Sequence, residues 1–221
     1  MSTLREGRRP ELILVGLLIA LAVPQLPFRS LLGLEQTIGA RLALEAIWWA
    51  IAAGLLAWVI IIERRPLASI GIRVPTSSTL GWALIGTVAG IATFMLSYAL
   101  ILPALGLEIN QSATSKITSL PIGVQLAIFL RAGVVEELLY RGYSIERLQE
   151  LTGSKWLAAL IPGLVFIAGH FAFWGSGQLI VVAFGTIVMT LLYMWRRDLL
   201  CCMIAHASID LIGFTLARLQ S

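Results

Sequence analysis

The sequence predicts an all-α protein, a polytopic membrane helix bundle of about seven transmembrane helices in a single integral membrane domain, residues 1–221. First, 58% of its residues are hydrophobic and only 13% are charged, against about 45–50% and 25% in soluble domains. Second, its apolar runs reach the roughly 20 residues that cross a 30 Å hydrocarbon core. Third, these runs are continuous and do not alternate with polar residues, which favours helices over a closed barrel.

The predicted spans follow one another along the whole chain, separated by charged, polar or proline-rich connectors. Residues 1–120 hold the first three spans, and the segment 121–217 holds a core of four spans with most of the intramembrane polar residues. Pro162-Gly163 predicts an interruption of the fifth span, and Gly86 and Gly90 in the third predict close packing against another helix. The spans cover residues 11–32, 42–62, 80–102, 122–148, 156–174, 179–195 and 199–217.

The positive charge follows the membrane topology. The net charge is +4, but the basic residues concentrate at the ends of the apolar segments, so it indicates no nucleic-acid partner. With the N-terminus in the cytosol, eleven Lys and Arg residues, Arg5 and Arg8 among them, lie on the cytosolic side and four on the other. The positive-inside rule favours this arrangement. We therefore expect a multi-pass protein of the lipid bilayer, in the plasma membrane if its source is bacterial.

Charged side chains inside the fourth span indicate a functional site. Glu136, Glu137 and Arg141 follow an apolar run, and a charged side chain at the bilayer centre costs about 2.5–3.5 kcal/mol on insertion scales. Glu137 and Arg141 are four residues apart and can pair along one helix face. Glu136 points about 100° away from Glu137 and is left for chemistry. Arg131, one turn earlier, either pairs with Glu136 or snorkels.

The two histidines of the chain also lie within apolar spans. His170 lies in the fifth span, and His206 lies in the seventh, four residues before Asp210, so that this carboxylate can orient the ring. Together with Glu136, these side chains could form a zinc site of nitrogen and oxygen ligands or a metal-free cluster that activates water. Taken singly, each has a structural explanation as a packing residue or ion pair.

The spacing of these residues resembles a known family. Glu136-Glu137-x-x-x-Arg141, then Phe166-x-x-x-His170, then His206-x-x-x-Asp210 are similar to the three ordered motifs of the CPBP intramembrane proteases. That family includes CAAX prenyl endopeptidases of the Rce1 type and the bacteriocin-processing or self-immunity proteins of the Abi type. The resemblance covers about residues 120–213. One position departs from it, because the third motif usually ends in Asn and here ends in Asp210.

The resemblance implies hydrolysis of a peptide bond in a membrane-associated substrate, which is a peptide or a membrane protein. Prenylated CAAX proteins are one type of such substrate. By motif position, Glu136 activates water with the assistance of His170. The other motif residues brace the site or hold the water and the scissile carbonyl: Glu137, Arg141, Phe166, His206 and Asp210. If zinc is used, Glu136, His170 and His206 are its predicted ligands.

Two other functions are compatible with the same residues. A non-catalytic membrane scaffold or bacteriocin-immunity protein could retain the fold, and a proton-coupled carrier could use intramembrane acids and histidines as a relay. The carrier is disfavoured because no internal repeat is visible. One geometric problem accompanies the protease: His206 lies roughly 10 Å from the cytosolic start of its span, whereas His170 lies near the opposite end of its own. Straight, upright helices would keep the two histidines apart.

Overall fold

The computed structural model describes residues 9–219, and all the regular elements in that range are helical. Arg5 and Arg8, which enter the predicted orientation, lie outside the described residues. Besides a 3₁₀ turn at Leu67–Ile70, the helices are α1 Pro10–Gln25, α2 Phe28–Leu31, α3 Ile38–Ile62, α4 Ser77–Ala104, α5 Gln111–Thr118, α6 Ile122–Thr152, α7 Lys155–Arg196 and α8 Leu199–Leu219.

The predicted polytopic helix bundle is confirmed. Within the described range, four helices are long and apolar enough to cross a membrane: α3, α4, α7 and α8. Helices α5 and α6 meet at an angle of 114° and form a fifth candidate span together, whereas α1 is shorter. The predicted total of seven is reached only if α1 is counted and α7 is counted as two spans, so that number stays a prediction.

Helix α7 corrects the predicted interruption of the fifth span. Pro162 is buried inside a continuous helix, and neighbouring helices commonly compensate the hydrogen bond that a membrane-embedded proline loses. The break lies at Gly175, whose φ of 74° and ψ of −178° are not helical. Only glycine adopts this conformation readily. The 42 residues of α7 therefore contain the predicted fifth and sixth spans, joined at Gly175.

Side-chain caps fix the starts of several helices. Thr76 and Thr79 form a reciprocal capping box at the start of α4, in which each backbone N–H donates to the other threonine hydroxyl. Thr37 caps α3 by accepting from the backbone N–H of Ala40, and Ser154 caps α7 by accepting from Leu157. These bonds satisfy amide groups that a helix leaves unpaired at its N-terminus.

Small residues allow close packing between helices, as the sequence predicts for α4. A Cβ atom at Gly86 would lie 2.6 Å from Leu192 and 3.2 Å from Ala205, and one at Gly90 would collide with Ile209. Helix α6 packs on α8 in the same way, since a Cβ atom at Gly133 would lie 2.8 Å from a backbone nitrogen of α8. Backbones that approach this closely are typical of membrane helix interfaces.

A buried ion pair ties α6 to the end of α3. Arg147 donates to Oε2 of Glu63 from Nε at 2.9 Å and from Nη2 at 2.6 Å, while the Tyr143 hydroxyl donates to Oε1 at 2.6 Å. The Arg147 side chain is fully buried, and a charge in such a place requires a partner.

Candidate active site

The site is built on the central part of α6. Residues Ala132–Tyr143 form wide π-helical turns, and all but one of these twelve residues are buried. Such turns occur often at functional sites, and shorter ones are also present in α1, α3 and α4. Both glutamates of the first motif and its arginine lie in this stretch, in the interior of the bundle.

Glu137 is the most enclosed of the candidate residues. Its side chain is fully buried, and its Oε1 accepts from Nη1 of Arg141 at 2.8 Å and from Nδ1 of His206 at 2.8 Å. The predicted pair between Glu137 and Arg141 is therefore present. Because a carboxylate oxygen only accepts, Nδ1 of His206 carries the proton of this bond. Glu137 thus links the first motif to the third.

An aromatic stack carries the second motif. The Arg141 guanidinium lies 4.6 Å from the ring centre of Phe166, an arrangement that favours a cation. Phe166 also contacts Tyr140, at 4.9 Å between ring centres, and His170, at 4.4 Å. Nδ1 of His170 donates to the Phe166 carbonyl oxygen at 2.7 Å. Because that carbonyl only accepts, Nε2 is the nitrogen of His170 left for chemistry.

Asp210 contributes less to the orientation of His206 than the sequence predicts. Its Oδ2 lies 3.8 Å from Nε2 of His206, which is too long for a hydrogen bond. The shared helix face is correct, but the ring is held by Glu137 from another helix. The i,i+4 spacing reveals neighbours on one helix and not a closer partner on the next.

Glu136 is held by an ion-pair chain that the sequence analysis largely missed. Arg131 donates to Oε1 of Glu136, which resolves the open assignment of that arginine. Its Nε donates to Glu45 Oε2 at 2.9 Å, and Glu45 also pairs with Arg41 at 3.1 Å. In the sequence, Glu45 can be recognised as an acidic residue inside the second apolar span, four residues after Arg41. This position indicates a buried charge but does not identify its partner.

The two histidines reach the same stretch of α6 despite the expected separation. His206 bonds to Glu137, the neighbour of Glu136, and His170 stacks on Phe166, which contacts Tyr140 of α6. The earlier expectation assumed that the spans start at the same height.

Helices α7 and α8 start at different heights along α6. Phe166, eleven residues after the start of α7 at Lys155, packs on Tyr140. Leu199, the first residue of α8, already packs against Gly142. At 1.5 Å per residue, α7 thus begins roughly 15 Å further out than α8, and His170 reaches the level of Glu136.

The fit of a zinc ion is poor in this arrangement. Among residues 9–219, no group of three or more His, Cys, Asp or Glu side chains is arranged to hold a metal ion. Of the three predicted ligands, Glu136 is engaged by Arg131, whereas His206 and His170 donate from Nδ1 and keep Nε2 free, as metal-ligating histidines also do. The positions of the side chains, and not the state of the histidine rings, therefore disagree with a zinc site.

Comparison with known proteins gives a family match over the part of the chain that contains the candidate site. No curated protein and no solved structure matches the chain. The sequence model of the family described as type II CAAX prenyl endopeptidase Rce1-like matches residues 118–212, a segment that includes all three motifs. This match supports a protease of the CAAX endopeptidase type, and it confirms the resemblance of the chain to the CPBP and Rce1-like family.

Proposed function

We propose that this protein is an intramembrane endopeptidase in which Glu136 activates the attacking water. The observation that carries the proposal is that His170 and His206, from two other helices, reach the stretch of α6 that bears Glu136 and the already braced carboxylate of Glu137. A packing role explains each side chain singly, but not why three helices bring them together. Intramembrane ionisable residues are costly and commonly functional.

In the proposed reaction, water attacks the scissile carbonyl carbon and transfers a proton to Glu136. Arg131 fixes this carboxylate through Oε1, which leaves Oε2 to take the proton. The C–N bond then breaks, and the proton passes to the leaving amine nitrogen, directly or through Nε2 of His170. Positioned groups of this kind contribute about 10²–10⁴-fold to a rate.

His206 and Asp210 are assigned to the attacking water and the scissile carbonyl group. Glu137 accepts from Nδ1 of His206, so that Nε2 faces Asp210 and, in the neutral ring, can accept a hydrogen bond from the attacking water. Asp210 in place of the usual Asn lacks an amide donor, so this pair polarises the carbonyl oxygen only when His206 or Asp210 carries an additional proton. Glu137 and Arg141 act through His206 and Phe166 and are positioning residues.

Cleavage of a defined peptide tests the proposal. The substrates are a fluorogenic peptide that ends in a farnesylated CAAX sequence and the same peptide without the lipid, each presented to the purified protein in liposomes. We expect Glu136→Gln and His170→Ala to lower kcat/KM at least about 100-fold. Glu108→Gln, which neutralises an exposed acid, serves as the matched control and should leave it unchanged.

The competing function is a non-catalytic scaffold or immunity protein. The observation in its favour is that Glu136 and Glu137 are both engaged in ion pairs, as structural charges are. A scaffold would cleave neither peptide. Its function would be the same in the wild type, in Glu136→Gln and in His170→Ala. Wild-type cleavage that survives both substitutions would also refute the assigned roles.

A further inference from the structure

A cavity of about 230 Å³ lies beside the ion pair that holds Glu136. It is open on one side and is lined by the chain between α1 and α3, by the first turns of α3 and by Arg131 of α6. Its apolar wall includes Phe28 and Trp48, and Arg29, Arg41 and Arg131 supply positive charge. Because drug-sized ligands need about 300–1,000 Å³, the cavity suits one or two residues of a peptide.

The charges that line this cavity are unbalanced. Three arginines of the lining are opposed by two carboxylates, Glu45 in the lining and Glu136, which Arg131 also binds. Both oxygens of Glu45 are in use, by Arg41 at 3.1 Å and Arg131 at 2.9 Å. The guanidinium of Arg41 repels those of Arg29 and Arg131. Gathering like charges beside apolar side chains is unfavourable unless another anion joins them.

An unsatisfied donor marks the same place. Nε of Arg41 is buried and has no hydrogen-bond partner among the described residues, although buried polar groups are nearly always bonded. Arg131 uses Nε for Glu45 and Nη1 for Glu136, so that Nη2 is left for a further acceptor. Planar guanidinium groups match the two oxygens of a carboxylate.

We propose that this cavity binds a carboxylate of the substrate, a role that rests on the proposed peptidase function. Arg131 would then contact the bound carboxylate and Glu136 at once, which places the carboxylate only a few residues from the scissile bond. The apolar wall formed by Phe28 and Trp48 favours an apolar residue next to it. Two sources share this chemistry: the C-terminal carboxylate of a peptide and an acidic side chain near the cleavage point.

Binding of uncleavable product-like peptides tests the cavity without catalysis. The probes are acetylated trileucine with a free C-terminal carboxylate, its C-terminal amide, and an amide in which the last leucine is replaced by aspartate. Each is titrated calorimetrically into the intact wild-type protein in detergent micelles, with empty micelles as background. We expect the free acid to bind at least about tenfold more tightly than the trileucine amide, as expected for one charge-assisted contact.

The aspartate peptide separates the two sources of carboxylate. If it binds like the free acid, the cavity accepts a carboxylate from a side chain as well as from the chain end; if it binds like the trileucine amide, the cavity requires the chain end. Equal affinity of all three peptides overturns the proposal.

Substitution of one cavity arginine gives the matched comparison. Arg41→Gln should abolish the preference for the acid. Arg41→Lys, which keeps the charge but not the planar guanidinium group, should retain part of this preference. Arg73→Gln removes an exposed arginine outside the cavity and should keep the full preference. If Arg41→Gln does not fold, the Arg41→Lys result decides: an unchanged or increased preference contradicts the assignment of Arg41.

Failure of this proposal and failure of the peptidase function give different results. If the wild type cleaves peptides with free and amidated ends at equal kcat/KM and binds all three probes equally, the carboxylate site is wrong and the peptidase stands. If the acid is bound preferentially but no peptide is cleaved, the cavity binds carboxylates in a protein that is not a peptidase.

Discussion

Removing the buried pair between Glu137 and Arg141 one partner at a time separates its structural from its functional contribution. The Glu137 side chain is fully buried, and the Arg141 side chain is 2% exposed. Arg141→Met leaves the carboxylate with His206 alone, and Glu137→Leu leaves the guanidinium stacked on Phe166 without a counter-charge. Either change should lower the free energy of unfolding by about 3–5 kcal/mol, because it leaves one buried charge uncompensated.

The double variant Glu137→Leu/Arg141→Met removes both charges and keeps the volume. Replacing a buried ion pair by apolar side chains is often neutral or stabilising, so the main loss is the hydrogen bond from His206, about 1 kcal/mol. The double variant should therefore be more stable than either single variant, with a coupling energy of at least about 3 kcal/mol. It should nevertheless be inactive, since His206 has lost its anchor.

Reversible unfolding in mixed detergent micelles, followed by circular dichroism, measures these free energies, and peptide cleavage measures activity. Arg65→Met breaks a half-exposed pair with Glu150 and serves as control, with an expected loss below about 1 kcal/mol. If the double variant loses as much stability as the two single variants combined, the two charges do not neutralise each other and the reasoning is refuted. A fully active double variant would remove Glu137 from the positioning of His206.

Three further predictions concern the same helices. Asp210→Asn should keep activity within about tenfold of the wild type, because the oxygen facing His206 is retained. Asp210→Ala should lower kcat about 10–100-fold, as the loss of a partner of a functional histidine does. Equal rates for the two variants would contradict this prediction. Gly142→Ala places a Cβ atom 2.7 Å from a Leu199 methyl group and should destabilise the protein by about 1–3 kcal/mol. In the control Gly185→Ala, the new Cβ atom meets no atom within 4 Å, and the change should stabilise the protein by up to about 1 kcal/mol. Activity should persist in a zinc chelator, since no group of three ligating side chains in residues 9–219 is arranged as a metal site; loss of activity that added zinc restores would instead establish the predicted zinc ligands.

Local spacing predicted the parts of the site that lie on one helix. Glu137 and Arg141 pair as the i,i+4 rule requires, and His206 and Asp210 lie on one face. The same rule could not reveal that His206 bonds to Glu137 rather than to Asp210, because the choice depends on how closely α8 approaches α6. Glycine at position 133 permits that approach.

The support of Glu136 could not be predicted from the motifs. Arg131 lies on the same helix, and its pairing was one of two alternatives, but Glu45 is separated from it by 86 positions in the chain. An acidic residue within an apolar span indicates that a partner exists, since an isolated charge in lipid is too costly. It does not say which of the distant arginines that partner is.

By itself, the sequence determined that this protein is a bundle of membrane helices whose motif residues, from Glu136 to Asp210, lie in the second half of the chain. Composition and apolar run length suffice for this, because lipid offers no hydrogen bonds to the backbone. Only the tertiary structure decided the heights at which α7 and α8 begin along α6, and with them the approach of His170 and His206 to the stretch of α6 that bears Glu136. Periodicity fixes the face on which a side chain lies, whereas depth and neighbours follow from contacts between helices far apart in sequence.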